Sequence, residues 1–364
     1  MELLAGTRTA SLPPLYAAWI DELLNGPIPS ESEATCSSCA MCDHTGAPAR
    51  NAEHFNPHTK CCTYMPDLPN FLVGRSLADE DPTALVGRAT VEARIATRAA
   101  VTPLGLRRPR PYNLLYRSST DAFGHSLAMR CPHYIDEQGG LCGVWKNRNA
   151  MCSTWFCKHV RGALGQHFWK SIYRVLFTLE RTLAGWCVFE LDPGRESLER
   201  LFPSSNGNAP ERDLDPFELD GTADPHNYGV MWGRYLGREL EFYRACAERV
   251  SKLTFREVLA ISGAELRTAA HLARLAYAEL VSDDLPETLQ LGPFHVVSSD
   301  CDTMRVSTYS DYDPLEIPRA LADLLHRFDG RPVTTVLETI ATGDNIELDT
   351  ATVRKLADFK ILQP

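Results

Sequence analysis

Apolar positions along the chain alternate between stretches with helical periodicity and stretches with none. In LPPLYAAWIDELL (12–24), Leu15, Trp19 and Leu23 recur every four residues and Asn25-Gly26-Pro27 halts the run, which predicts a short amphipathic helix. Residues 82–99 read as a second helix, with Pro103 beyond its end. From near Cys152 onward, Phe168, Trp169, Ile172, Leu176, Leu179 and Leu183 keep helical spacing and predict a long helix. Two more helices are expected over 229–281. One is centred on Trp232, Leu236, Leu240, Tyr243 and Cys246, and the other runs through Leu266, Leu272, Leu275 and Leu280; these positions are read as core. Between the periodic stretches, 28–64 is loop-rich, 126–146 reads as two short strands that each bring a cysteine and meet at Gly139-Gly140, and 192–228 is a Pro-, Gly-, Asp- and Asn-rich loop between domains.

The last segment follows another pattern. FHVVS (294–298) and MRVSTY (304–309) read as strands. Pro318 opens a helix ended by Gly330, a second helix is ended by Gly343, and Asp349 caps a third. Two strands and three short helices predict a winged-helix-like unit. The expected fold is therefore mainly α with small β elements. It divides into a loop-rich cysteine-cluster domain (1–185), a helical middle (186–285) and a C-terminal winged-helix-like domain (286–364).

Composition leaves this picture intact. A chain of 364 residues with 44% apolar and 23% charged positions has room for two or three cored domains. No signal-peptide pattern opens it, and no apolar run approaches the ~20 residues that span a bilayer, so the expectation is a cytoplasmic protein without a membrane partner. The net charge of −10 speaks against generic nucleic-acid binding, although residues 142–181 carry seven basic groups against the single acid Glu180.

The cysteines change the picture most. Nine of the twelve lie between Cys36 and Cys157: Cys36, Cys39 and Cys42 in C-x2-C-x2-C, the adjacent pair Cys61 and Cys62, then Cys131, Cys142, Cys152 and Cys157. In a reducing compartment such a set points to metal ligation rather than disulfides. A C-x2-C-x2-C loop can supply three corners of a cubane cluster. The fourth thiolate in ferredoxins is often followed by proline, and here Cys131-Pro132 has that form 89 residues after Cys42. The triple spacing favours an iron–sulfur cluster, [4Fe–4S], with zinc as the alternative. In an extended chain Cys61 and Cys62 would point to opposite sides, which predicts that they serve different metals or bridge two. Arg130, Lys146, Arg148, Lys158 and Arg161 lie beside the rear cysteines in sequence, where they could offset thiolate charge. Cys187, Cys246 and Cys301 stand alone and are read as non-ligands. So are the histidines near the cluster, His44, His54, His58, His133 and His159. The acidic run Asp311, Asp313 and Glu316 and the basic LRRPRP (106–111) are both read as solvated turns.

Four pieces, CSSCAMC (36–42), KCCTYMPDLPNF (60–71), RCPHYIDEQGGLCGVW (130–145) and AMCSTWFCKHVRG (150–162), resemble the bacterial cysteine-cluster proteins described as a zinc- or iron-chelating domain. The resemblance covers about residues 30–165 and is closest in the last two pieces. It departs at the front, where 18 residues separate Cys42 from Cys61 and Cys42 is an added cysteine. Flagellin lysine N-methylases are related to this group, and the resemblance implies iron–sulfur chemistry and protein or peptide modification. LLHRFDGRPVTTVLETIA and LDTATVRKLADFKILQ, within about 291–364, more loosely resemble the small peptide-binding domains of peptide-maturation systems. That resemblance implies a protein or peptide partner. The segment's twelve acids and seven basic residues agree with a peptide rather than DNA, for which only Arg354, Lys355 and Lys360 are offered.

Three functions follow as expectations: a metal-cluster protein supporting redox or modification chemistry on a protein or peptide, a non-catalytic zinc-stabilised interaction protein, and a metal-responsive transcription regulator. The sequence names no catalytic residue: it has no G-x-S-x-G, phosphate-binding P-loop or H-E-x-x-H.

Overall fold

A computed structural model describes residues 12–31, 39–42, 55–203 and 216–364. Its helices, in chain order, are α1 (Pro14–Leu24), α2 (Asn70–Ala78), α3 (Leu85–Ala96), α4 (Arg110–Ser118), α5 (Ala150–Thr154), α6 (Gly162–Leu191), α7 (Arg195–Leu201), α8 (Pro216–Leu219), α9 (Pro225–Trp232), α10 (Glu239–Val250), α11 (Phe255–Val281), α12 (Arg319–Leu324), α13 (Val333–Gly343) and α14 (Thr350–Asp358). The strands are β1 (Leu68–Pro69), β2 (Val101–Thr102), β3 (Gly105–Leu106), β4 (Tyr134–Ile135), β5 (Leu141–Cys142), β6 (Thr288–Leu291), β7 (His295–Ser299), β8 (Thr303–Ser307), β9 (Leu315–Pro318), β10 (Asp329–Pro332) and β11 (Leu362–Gln363). They form small antiparallel sheets ordered β1-β3-β2, β4-β5, β7-β8-β9 and β10-β6-β11. The fold is mainly α with small β elements, as the periodicity predicted. None of the described helices is long and apolar enough to cross a membrane.

The main core is built around α6. Phe168, Ile172, Val175, Leu176, Leu179 and Leu183 turn one stripe of this 30-residue helix inward, and all are fully buried. α11 and α5 pack against it, while α2 lies against α10. Gly74 permits that second contact: a Cβ there would stand 1.8 Å from the Tyr243 carbonyl oxygen, so only glycine lets the two backbones approach. α1 adds Tyr16, Trp19, Ile20 and Leu23 to the same core and stops where Asn25 turns left-handed, its N–H bonded to the Asp21 carbonyl. α11 opens with a capping box made by Thr254 and Glu257 and is kinked at Gly263.

Several local expectations are corrected. The helix expected from Cys152 is two helices, α5 and α6, separated by a turn that ends at Gly162 with φ +51°. The one helix expected through Trp232, Leu236, Leu240, Tyr243 and Cys246 is two, α9 and α10, joined by a 3-10 turn that leaves Leu236 outside both. Leu236, Leu240, Leu272 and Leu275, read as core, are exposed, and on α11 helical spacing did not distinguish Leu272 and Leu275 from the buried Leu266 and Leu280. Within 192–228, the described residues hold α7, α8 and the first part of α9 rather than continuous loop. Of the hairpin cysteines, Cys142 lies in β5, whereas Cys131 precedes β4.

The C-terminal segment has its own core of Val306, Ile317, Phe328, Val336, Ile340, Val353 and Leu356 among others. The two expected strands are β7 and β8, the three expected helices are α12, α13 and α14, and Asp349 caps α14 as read. The β9 strand and the β10-β6-β11 sheet were not anticipated. This segment is joined to the helical core by specific bonds. Arg161 pairs with Asp358 and donates to the Leu280 carbonyl at 2.7 Å. Arg354 donates to the Ser282 carbonyl at 2.9 Å. A Cβ on Gly162 would stand 2.6 Å from the Phe359 ring, so this glycine also clears room for the docked C-terminal unit.

Candidate metal centre

Five of the predicted ligands converge. Cys61, Cys62, Cys131, Cys142 and Cys152 line one cavity of about 390 Å³. They arrive on four segments, each fixed by local bonds. Cys61 and Cys62 sit in a 3-10 turn (Lys60–Thr63) that Thr59 and Thr63 tie to Gly124: the Thr59 hydroxyl donates to the Gly124 carbonyl at 2.8 Å, and the Gly124 N–H to Thr63 Oγ1 at 2.7 Å. The Cys131 N–H donates to the Cys62 carbonyl at 2.6 Å, which brings the second segment to the first. Lys60 Nζ crosses to the Gly139 and Gly140 carbonyls at 2.6 and 2.9 Å and so holds the β4-β5 turn that leads into Cys142. Cys152 comes on α5. That helix is capped by Asn149, whose side chain accepts the Cys152 N–H at 3.0 Å, and is anchored by Glu180 of α6, whose carboxyl accepts the Ala150 N–H at 2.5 Å.

A second, smaller group lies alongside. Cys39 and Cys157 pack with Cys61 against the buried Met41, Cys42 and Phe55. Cys36 falls outside the described residues. Cys61 belongs to both groups, and its thiol is hydrogen-bonded to that of Cys62. The expectation that the adjacent pair points to opposite sides is therefore corrected: the 3-10 turn, unlike an extended chain, lets both reach the same cavity.

The thiols surround a space rather than a point. A tetrahedral zinc ion with ~2.3 Å bonds needs sulfurs about 3.8 Å apart. Among the described residues, the one set of three or more potential ligands lying mutually within 4.8 Å is Asp300, Cys301 and Asp302, an exposed turn on the C-terminal segment. No three thiols of the cavity are that close.

Comparison with protein-family models, curated proteins and solved structures gives no match.

The thiols are shifted in both directions from their ordinary value. Burial pushes the Cys131 thiol up to about 12 and raises those of Cys142 and Cys152. The hydrogen bond from Cys42 pulls Cys39 down to about 6, and the one from Cys62 lowers Cys61, with Lys60 assisting both. Of the basic residues expected to offset thiolate charge, Arg148 lines the cavity and favours ionised Cys142 and Cys152, and Lys158 does the same for Cys157. Arg130, Lys146 and Arg161 are instead paired with Asp136, with Asp79 and Asp81, and with Asp358. Two cations were missed. Lys60 adjoins the front thiols, and Arg94, from α3, stands near Cys131. Lys60 was legible as the neighbour of Cys61, whereas nothing in the sequence connects Arg94 to a cysteine.

The cavity's remaining wall is aromatic: Tyr64, Tyr116, Phe123, Trp145, Trp155 and Tyr312. Tyr312 belongs to the C-terminal segment, inside the run read as a solvated turn. That reading holds for the exposed Asp311 and, although it lies in β9, for the exposed Glu316; it is corrected at Asp313. Asp313 is buried, accepts the His159 N–H at 3.0 Å and the Tyr309 hydroxyl, and places Tyr312 against Phe55 and Trp155, with ring centroids 5.6 and 6.2 Å away. Cys187, Cys246 and Cys301 stand apart from the cavity. Cys187 and Cys246 are buried together in the helical core, and the Cys187 thiol faces the Cys246 carbonyl at 3.9 Å. His133 is buried with Nδ1 2.9 Å from the Thr90 hydroxyl, a structural contact rather than a cavity ligand.

Proposed function

We propose that the cysteine set holds a polynuclear thiolate-ligated centre, an iron–sulfur cluster, and that the protein uses it for redox or modification chemistry on a protein or peptide partner. The observation that carries this reading is the convergence of five cysteines on one cavity, with no three of their sulfurs mutually within 4.8 Å. Cys61, Cys62, Cys131, Cys142 and Cys152 are the residues that would hold it, with Cys39, Cys42 and Cys157 as a second thiol set that shares Cys61. Such a cluster supplies one-electron transfer, at a potential set by nearby charge, hydrogen bonds and solvent access. Arg148, Arg94 and Lys60 then offset the thiolate charge that burial alone would leave unfavourable. The aromatic wall, closed by Tyr312, limits the access of water.

The partner reading rests on the C-terminal segment. Arg354, one of the three basic residues offered to DNA beside Lys355 and Lys360, is engaged by the Ser282 carbonyl, which weakens the case for DNA and supports a protein or peptide. Resemblance to the chelating-domain proteins agrees with this assignment. Anaerobic purification followed by iron, sulfide and zinc analysis and by electron paramagnetic resonance of the reduced protein tests it; zinc alone, with no reducible chromophore, would sink it.

A second reading, a zinc-stabilised interaction protein, is favoured by one observation. Residues 123–157 contain only 3-10 turns, two-residue strands and the five-residue α5. Metal binding can supply the folding free energy such a region lacks. It predicts zinc in the purified protein and loss of this region's structure on chelation.

A further inference from the structure

A second cavity, of about 630 Å³, lies on the other side of α4. Tyr116 of that helix faces the thiols, whereas Arg110, Asn113, Leu114 and Arg117 face this second space. Six arginines line it, Arg98, Arg107, Arg108, Arg110, Arg117 and Arg200, against two acidic residues, Glu218 and Asp224. On a chain of net charge −10 this is a local reversal of sign.

Of the six arginines, Arg107, Arg108 and Arg110 have a carboxylate within 4 Å, whereas two carboxylates face six cations overall. Asp224 is occupied as the cap of α9, where its side chain accepts the Asn227 N–H at 2.7 Å. Glu218 stands 3.8 Å from Arg110, and Asp67, behind the wall, lies 3.7 Å from Arg107 and 3.4 Å from Arg108. Arg110 Nε is buried without a hydrogen-bond partner. The Leu106–Pro111 stretch is also not the free solvated loop its composition implied. The Arg107 N–H donates to the Ala100 carbonyl at 2.8 Å, and the Arg108 N–H to Asp67 at 2.9 Å. Arg94 and Asn113 hold the Arg107 and Arg108 carbonyls at 3.0 and 3.2 Å. The backbone of this stretch is fixed and Arg107, Arg108 and Arg110 line the cavity, Arg108 also lying 5.3 Å over the Tyr64 ring; a fixed backbone lowers the ordering cost of recognising an anion. Arginine's planar fork matches the oxygens of a phosphate group, and a space of this size accommodates a small molecule. Leu114, Leu201 and Met231 provide an apolar side to the same space.

We propose that this cavity binds a small phosphate-bearing molecule, its phosphate on the arginines and its remaining part on Leu114, Leu201 and Met231. The site is independent of the thiol centre and does not rest on what metal that centre holds. Calorimetric titration of the full chain with inorganic pyrophosphate and with ATP as probes, at low and high salt, tests it. Saturable one-site binding that weakens with salt is expected. Arg110→Gln combined with Arg117→Gln should lower the pyrophosphate affinity about tenfold or more. Arg195→Gln, an exposed arginine paired with Glu199 outside the cavity, should leave it unchanged. The double variant removes only partly exposed side chains, and its circular dichroism should match that of the parent. Failure of pyrophosphate to bind, or equal binding by the double variant, would overturn the assignment. ATP binding no tighter than pyrophosphate would overturn its apolar half.

Discussion

Between Gly162 and Leu191 the chain is one unbroken helix whose apolar stripe is buried. Between Phe123 and Cys157, immediately before it, regular structure is limited to short 3-10 turns, the two-residue strands of one hairpin and the five-residue α5. The first stretch is organised by apolar area alone, at roughly 25 cal/mol per Å² removed from water. The second buries Met129, Ile135, Leu141 and Val144 without a continuous apolar stripe. Its organisation comes from cross-links between segments: Cys131 to Cys62, Lys60 to the Gly139-Gly140 turn, and Asn149 to α5. The difference teaches where a metal would matter. A helical core that closes on its own apolar residues does not need one, whereas the proposed centre would brace a thiol-lined cavity walled by turns.

The largest effect that would separate the two regions is expected from Phe168→Ala. Removing a fully buried ring from α6 should cost about 3–5 kcal/mol in chemical denaturation followed by helical circular dichroism. Cys131→Ser should leave that transition nearly in place while lowering metal content. A coincident loss of both would mean that the regions are one cooperative unit.

Glu180 sits at the seam, taking the Tyr16 hydroxyl and the Ala150 N–H, each at 2.5 Å, and burial raises its carboxyl from 4.5 to about 8. The folded protein therefore keeps a proton that the unfolded chain releases above pH 4.5. Stability from this group is greatest below that value, falls as pH rises towards about 8, and is level above it. Urea titrations at pH 5 and pH 8 should show the fall, and Glu180→Gln should flatten it. An unchanged slope in that variant would place the pH dependence elsewhere.

Docking of the C-terminal segment offers a smaller effect. Arg161→Ala removes the pair with Asp358 and the bond to the Leu280 carbonyl, and about 1–3 kcal/mol of attachment is expected to be lost. Faster proteolysis between residues 281 and 288 would report it; unchanged cleavage would count against this contact as the tether. Tyr312→Ala should alter global stability by less than about 1 kcal/mol, since the residue is partly exposed, yet it should speed oxidative loss of the bound centre by opening the aromatic wall. Equal oxidation rates would show that the C-terminal unit does not guard the cavity.

Much of this was legible in advance, for reasons that differ by region. The buried stripe of α6 and the cap of α14 follow from spacing and local chemistry, so Phe168, Leu179 and Asp349 stand where the pattern put them. The density of the nine cysteines marked them as a group, and five of them line one cavity. What the sequence hid was long-range. Tyr312 lies 155 residues after Cys157, and only the burial of Asp313 against His159 brings it to the thiols. Arg94 reaches Cys131 through the packing of α3, and Arg98, Arg117 and Arg200 share one cavity through tertiary structure that no local pattern records. The exposed Leu272 and Leu275 show the converse limit, since period alone does not say which face of a helix finds a partner.

The most direct test of the central claim, that these thiols hold a polynuclear centre, is the metal and sulfide content of protein purified without oxygen. The account predicts iron and acid-labile sulfide in equal amounts, both reduced by substitution of Cys131, Cys142 or Cys152 and both unaffected by Cys301→Ser. Colourless protein holding zinc alone, or iron retained after those three substitutions, would contradict it.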